Sequence, residues 1–318
     1  MSNCKNIKGR HSVYKFYLLG GVSILYLIMA FKYQYVFSDS VRASLKDSYS
    51  RIIPSLFPLM VLSKFMSESG IIVVFEYLLG GIISKLYGIS RKSSTAVVLG
   101  LLSGFPVGAM SVSDLFEEGH ISKNEAEKAL IASHNAGPAF TIGAIGISLW
   151  GSTLFGVLLY LSQLFSGLIV VWIIDSKDYS RNCKIDLLRY KKSIGISLVS
   201  AVSSASISCI SVIGFITFWR GIADYLFHII PDSSIIISYI FSALLEFASG
   251  SLYAYFASAP YSAYLAGFAL GFGGLSAICQ AMGYTSKAGL STTKMLLAKF
   301  LQGILCGFFV FIAYFVVF

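Results

Sequence analysis

The chain has 318 residues, of which 56% are hydrophobic and 12% charged, and it carries a net charge of +9. Soluble proteins carry about 25% charged residues, so this composition excludes an ordinary soluble domain and points to a polytopic membrane protein. The basic residues fall between apolar segments rather than among base-stacking aromatics, which fits the positive-inside rule and argues against nucleic acid as a partner.

Residues 1–15 hold Lys5, Lys8, Arg10 and Lys15 with no acid, and read as a disordered cytoplasmic tail. The uncharged run Phe16–Phe31 reads as a retained first transmembrane helix, short but flanked by Lys15 and Lys32, which can snorkel. No small-x-small cleavage site follows it, which disfavours a signal peptide. Ser38–Ile53 is apolar on one side and charged on the other, the pattern of an interfacial helix, and leads into Pro54 and Pro58. Apolar segments follow at about 54–66 and 71–88. Their charges (Lys64, Glu68, Glu76 and Lys85) are read as snorkelling ends rather than site residues.

The next apolar segment, 93–113, is interrupted by Gly100, Gly104, Pro106 and Gly108. A charged knuckle of Asp114, Glu117 and Glu118 reads as a solvated turn, and a second interruption stands at Asn135-Ala-Gly137-Pro138. From Ala129 to Ile174 there is no charged residue, predicting two spans hinged near Gly151. The loop 175–192 is the most charged part of the chain. Uncharged runs at 193–219, 247–286 and 300–318 complete about ten hydrophobic segments, with Glu246 at membrane depth and 220–232 expected as an external loop. The organisation expected is therefore 1–50 as tail, first helix and interfacial helix, 51–174 as a first repeat, 175–192 as a basic cytoplasmic loop and 193–318 as a second repeat. Six segments between the two basic regions place both, and hence the N-terminus, on the cytoplasmic side, with Arg91 and Lys92 as exceptions.

A shift of 170 residues sets Gly104-Phe-Pro-Val-Gly-Ala-Met against Gly274-Leu-Ser-Ala-Ile-Cys-Gln, and Gly119-His-Ile-Ser against Gly289-Leu-Ser-Thr. Glycine-interrupted segments in corresponding positions of two halves mark the binding sites of transporters, and an odd number of intervening spans inverts one copy. A half-helix starting inside the membrane presents unpaired N–H groups and the positive end of its dipole. Ser103 is placed to cap the half-helix starting near Pro106, and Gly273-Gly274-Leu-Ser276 offers the same arrangement in the second half. Two such N-termini converging on one cavity would suit carboxylate or phosphate oxygens. The competing reading is that Gly104, Gly108, Gly273 and Gly274 only permit close helix packing. Asn135 either contributes its amide to the solute or caps its own helix ahead of a glycine C-cap at Gly137 and a first-turn Pro138. Glu246, an acid at membrane depth, would face a cavity, a proton path or a partner. The five cysteines and four histidines form no metal-ligand spacing, so no metal or other cofactor is expected.

These residues also carry a resemblance. Leu102-Ser-Gly-Phe-Pro-Val-Gly-Ala, Glu118-Gly-His-Ile-Ser-Lys-Asn-Glu-Ala-Glu, Asn135-Ala-Gly-Pro-Ala-Phe and Gly143-Ala-Ile-Gly resemble the sporulation integral membrane protein YlbJ family. Leu245-Glu-Phe-Ala-Ser-Gly and Gly271-Phe-Gly-Gly-Leu-Ser are similar to its second-half motifs, although Ala248 stands where a threonine is expected. That family belongs to the nucleoside-recognition (Gate) group, related to concentrative nucleoside transporters. The resemblance implies a sporulation-associated transporter with dipicolinic acid as its cargo, acting at the forespore's outer membrane.

The expectation is thus an all-helical, multi-pass membrane transporter, embedded in the lipid bilayer, for a small organic anion. Ser103, Gly104, Pro106 and Gly108 line one half of its site, closed by Asn135, Gly137 and Pro138. Gly273, Gly274, Ser276 and Gln280 line the other, with Glu246 as coupling or orienting group. The chain has no P-loop, G-x-S-x-G or H-E-x-x-H motif, so a secondary or facilitated transporter is expected rather than a pump or an enzyme. A second copy of the chain is a further candidate partner. The alternatives are a nucleoside or other metabolite transporter of the same fold, and a non-transporting sporulation scaffold.

Overall fold

The computed structural model describes residues 17, 20, 21, 23–174, 194–229, 235–256 and 261–317. The basic tail, residues 16, 18, 19 and 22 of the first predicted span, and the 175–192 loop lie outside these residues. Among the described residues every regular element is helical and no strand occurs. α1 (Ser23–Lys32) precedes α2 (Gln34–Asp47), which passes through a π-turn at Ser48–Ile52 into α3 (Ile53–Ser69). Pro54 lies in the first turn of α3, where its missing N–H is not needed. α4 (Ile72–Tyr87) leads to a pair of short helices, α5 (Arg91–Ser103) and α6 (Val107–Glu117), the predicted broken segment. α7 (Lys123–Ser133) opens at Ser122, whose hydroxyl accepts from the Glu125 N–H, as the Gly-turn-Ser pattern predicts. After a break at His134–Pro138 comes a π-helical segment, Ala139–Leu149, then a turn at Gly151 and α8 (Thr153–Ile173). The hinge expected near Gly151 is therefore present.

The second half comprises α9 (Ile194–Ile229), α10 (Ile235–Leu245), α11 (Phe247–Phe256), α12 (Tyr261–Phe272), α13 (Gly274–Thr285) and α14 (Thr292–Val317). The sequence expectation of an external loop from 220 is corrected here, because α9 continues through Arg220 and Asp224 to Ile229. The helix tolerates both charges because Arg220 Nη1 donates to Asp47 at 2.6 Å and its Nε lies 3.6 Å from Asp224. Among the described residues four helical stretches are long and apolar enough to cross a membrane: α8, α9, α14 and the interrupted pair α12–α13. The outer faces expose large apolar side chains such as Ile207, Ile210, Leu297 and Phe308, which suits lipid rather than water.

Two kinds of broken helix are present. α5 and α6 fold back on each other, as do α10 and α11, forming two hairpins. α7 with the π-helical segment, and α12 with α13, instead continue as interrupted rods. Each half therefore runs hairpin, interrupted helix, long helix, the last being α8 in the first half and α14 in the second. This order revises the internal repeat. The break at Gly104 corresponds to that at Glu246, and the break at Asn135–Pro138 to that at Gly273–Gly274, not Gly104 to Gly274. The 170-residue shift had matched a Gly-turn-Ser cap that recurs after α6 and after α13, where Gly119 and Gly289 both take positive φ of 72° and 70°. Three passes (α7 with its continuation, α8 and α9) separate the hairpins, so the second copy is inverted relative to the first.

Two buried carboxylates on α7 fasten the frame. Glu125 accepts from the Ser90 N–H at 2.8 Å and the Ser93 hydroxyl at 2.6 Å, closing the start of α5. Glu127 accepts from the Ser291 N–H at 3.2 Å and from Lys294 at 2.7 Å, closing the start of α14. α12 and α14 approach through glycines: a Cβ on Gly271 would stand 2.9 Å from the Gln302 carbonyl, the close contact that small residues allow in membranes.

Candidate functional site

The four breaks meet. Gly104 ends α5 with φ +77°, a conformation glycine adopts without strain, and the chain turns sharply through Phe105 and Pro106 into α6. At this tip backbone meets backbone, for a Cβ on Gly104 would sit 2.5 Å from the Gly137 nitrogen. On either side of the tip, Gly100 and Gly108 press on Ser133 at the end of α7, with a Cβ on Gly108 reaching 2.5 Å from the Ser133 carbonyl. In the second half the same relation recurs. Gly273 and Gly274 both have positive φ (80° and 68°), and a Cβ on Gly274 would lie 3.0 Å from the Phe247 nitrogen. Each hairpin tip is therefore closed by the break of the interrupted helix in its own half.

Phe105 joins the two halves. Its ring lies 4.5 Å from the His134 ring and 5.2 Å from Phe247, and it occupies the space beside Gly273, where a Cβ would come within 3.0 Å. Phe247 in turn contacts Phe140 at 5.0 Å. Between these rings runs a narrow crevice lined by Leu56, Phe105, Ala136, Gly137, Phe140, Val212, Phe247 and Gln280. A second crevice also borders Phe140, where Asp47, Arg220 and Ser249 supply polar walls among Ile52, Ala144, Ile145, Leu149, Ile216, Ala248 and Leu252. Arg220 is held there by Asp47 and Asp224, and Tyr253 donates to Asp224 at 2.6 Å.

The predicted site residues divide into three groups. Gly137 and Gln280 line the crevice, while Gly104, Gly273, Gly274 and Glu246 build the junctions around it. Glu246 is fully buried and accepts from the Ala248 N–H at 2.9 Å and the Ser249 N–H at 2.6 Å. Its carboxylate caps the half-helix α11 and so meets the positive end of that dipole. Ser103 and Ser276 differ from expectation: neither α6 nor α13 has a side-chain cap at its start. Ser103 is buried in the last turn of α5, and Ser276 receives a 3.5 Å hydrogen bond from Gln280. The first turns of α6 and α13 thus have no side-chain cap, although in α6 the Val107 N–H donates to the Gly104 carbonyl at 3.1 Å. Gly108 serves close packing, the competing reading of the small residues.

Gly137 is not a left-handed C-cap, because the helix ends at His134 and Gly137 has no positive φ. Its lack of a side chain is needed instead for the approach of Gly104, Leu102 and Ser103. Pro138 opens the π-helical segment with φ −62°, as expected for a first-turn proline. Asn135 caps its own helix, and its side-chain oxygen is engaged by another helix. Its Nδ2 donates to the Ala132 carbonyl at 2.8 Å, capping α7, while Oδ1 accepts from Gln302 at 2.8 Å and Lys299 at 3.1 Å.

That second bond opens a buried network which sequence reasoning missed. Gln163 on α8 accepts from the Ala136 N–H at 3.3 Å and donates to its carbonyl at 2.9 Å, splinting the break from one side. Gln302 on α14 donates to the Gln163 carbonyl at 3.0 Å, and Lys299 donates to Gln302 at 2.6 Å. Gln163, Lys299 and Gln302 are fully buried. Lys299 is the first charged residue N-terminal to the uncharged run 300–318, so by sequence it resembles a snorkelling flank. Its position three residues before Gln302, on one helical face, was the available signal.

No family model matches the chain. It is homologous to the sporulation integral membrane protein YlbJ of Bacillus subtilis, 23% identical over 311 residues that span 86% of this chain and 76% of that one. The structure resembles a variant of the concentrative nucleoside transporter CNTnw in its intermediate 3 state, with TM-score 0.51 and 14% identity, covering 95% of this chain and 86% of that one. At that identity the likeness establishes the fold, a helical membrane transporter-like fold, and the resemblance read from the sequence motifs is borne out.

Proposed function

We propose that this protein is a secondary transporter of a small organic anion bearing a flat ring, with dipicolinate as the leading candidate, and that it acts in the membrane of the sporulating cell. The observation that carries the reading is the meeting of all four helix breaks around the Phe105–Phe140–Phe247 cluster, in a fold shared with a transporter. Aromatic walls favour a planar ring, as offset and edge-to-face contacts between rings are worth about 0.5–1.5 kcal/mol beyond area burial. The uncapped first turns of α6 and α13 and the Arg220 guanidinium at the adjoining crevice favour carboxylate oxygens. Glu246 acts as an orienting group: by occupying the start of α11 it leaves the other two N-termini for the solute. Sporulation as the setting rests on the homologue, whose name states it.

A nucleoside is the second reading, favoured by the shared fold and served equally by the aromatic walls. Uptake by proteoliposomes separates the two. Radiolabelled dipicolinate should enter, and unlabelled uridine should not compete. Arg220→Ala should raise the apparent KM for dipicolinate about tenfold or more, the loss of one charge-assisted contact of at least about 1.4 kcal/mol. Uptake of uridine without dipicolinate would replace the anion by a nucleoside. Absence of any flux, with Ser103 and Gly274 tolerating bulky apolar replacements in sporulating cells, would favour a scaffold.

A further inference from the structure

Lys299 is buried completely among the described residues, and no carboxylate pairs with it. A charge at membrane depth without an opposite charge is costly, so such a residue demands a reason beyond packing. Its two hydrogen-bond acceptors are neutral amide oxygens, Asn135 Oδ1 and Gln302 Oε1, at 3.1 and 2.6 Å. Asn135 follows the last turn of α7, where the negative end of a half-helix dipole and an unwound backbone face the membrane interior. In broken-helix transporters, unwound carbonyls and half-helix C-terminal ends are where a free cation is coordinated. Here a side chain from another helix brings its own nitrogen to that place. The nearby ionisable groups are His134, both of whose ring nitrogens lack a partner, and Cys306 two turns further along α14.

We propose that the Lys299 ammonium is a built-in monovalent cation at this junction, filling the position at which a free sodium or potassium ion would otherwise tie α7 to its π-helical continuation. Two of the donors on its nitrogen replace an ion's contacts with the neutral oxygens of Asn135 and Gln302, while α14 supplies the charge. Gln302 and Gln163 complete the cage, the first by bonding both Lys299 and Asn135, the second by holding the Ala136 peptide on both edges. The first-half junction therefore assembles without an ion from solution. The inference stands on the junction's own geometry and does not depend on which solute is carried.

The test is thermal unfolding of the purified full chain in detergent, in sodium, potassium or choline chloride at equal ionic strength. Wild type should melt at one temperature in all three salts. Lys299→Ala should melt several degrees lower in choline, and sodium or methylammonium should restore part of the loss by entering the vacated cage. Lys299→Met, which fills the same space without charge, should melt lower than wild type and respond to neither ion. Stabilisation of wild type by sodium or potassium over choline would overturn the proposal, because the junction would then hold a free ion. So would a Lys299→Met protein as stable as wild type, since the charge would be dispensable. If Lys299→Ala does not fold, the wild-type salt series and Lys299→Met still decide.

Discussion

Glu246 shows how a single buried acid can be satisfied mainly by backbone. Two N–H groups at the start of α11 bind its two oxygens, so the charge is met by a helix end rather than by a basic partner. Glu246→Ala leaves those N–H groups buried and unpaired, at an expected cost of about 2–4 kcal/mol. Glu246→Gln keeps one acceptor and should cost about half as much; melting of both variants in detergent measures the difference. At Gly104 the constraint is steric as well as conformational. Gly104→Ala places a Cβ into the Gly137 backbone at φ +77°, and strain at such a position is worth about 1–3 kcal/mol before the clash is counted. Gly119→Ala, also at positive φ but with nothing within 4 Å, should cost less, and the pair of melting temperatures isolates the contribution of the close contact.

At the scale of elements, α7 acts as the frame on which the two halves are hung. Its Glu125 closes the N-terminus of α5 and its Glu127 that of α14. The two are not equal. Glu125 bonds a buried backbone N–H and a buried hydroxyl, whereas the Lys294 partner of Glu127 is largely exposed and its ion pair is screened by water. Glu125→Ala should therefore speed amide exchange across Ser90–Ser94 more than Glu127→Ala does across Ser291–Met295, as hydrogen-exchange mass spectrometry would read. The first hairpin and both interrupted rods follow from glycine and proline placement that the sequence displays openly, whereas the second hairpin turns at Glu246, where neither residue stands. Which break answers to which was not legible, because the recurring Gly-turn-Ser cap set a register of 170 residues that joins unlike elements. Only the folding back of α5 on α6 and of α10 on α11 identifies the hairpins.

For the whole molecule, the two halves touch through Phe105, whose ring meets His134 of its own half and Phe247 and Gly273 of the other. A transporter on this plan must part such contacts to expose the crevice to each side in turn. Cysteines at positions 105 and 247, introduced together in a cysteine-free background, should cross-link with a short reagent and thereby stop uptake. Reduction should restore it, and either cysteine alone should leave uptake unaffected by the reagent. Efficient cross-linking with undiminished uptake would show that these two halves do not separate during transport.

Composition and hydropathy by themselves determined that this chain lives in a bilayer as helices, because a chain so apolar can satisfy its backbone there only within helices or a closed barrel. Its glycines and prolines marked three of the four breaks, at Gly104, Asn135–Pro138 and Gly273–Gly274, since the effects of φ and of a missing N–H are local; the turn at Glu246 has neither residue and was not marked. They could not determine which breaks meet, because contact between Gly104 and Gly137, or Gly274 and Glu246, joins residues separated by dozens of positions and by whole helices. The role of Lys299 was hidden for the same reason: beside an apolar run it looks like a membrane-edge lysine, and only the packing of α14 against α7 and α8 turns it inward to Asn135. The local backbone thus marked most of the breaks, and the tertiary structure alone decided which of them meet and which side chains bond across them.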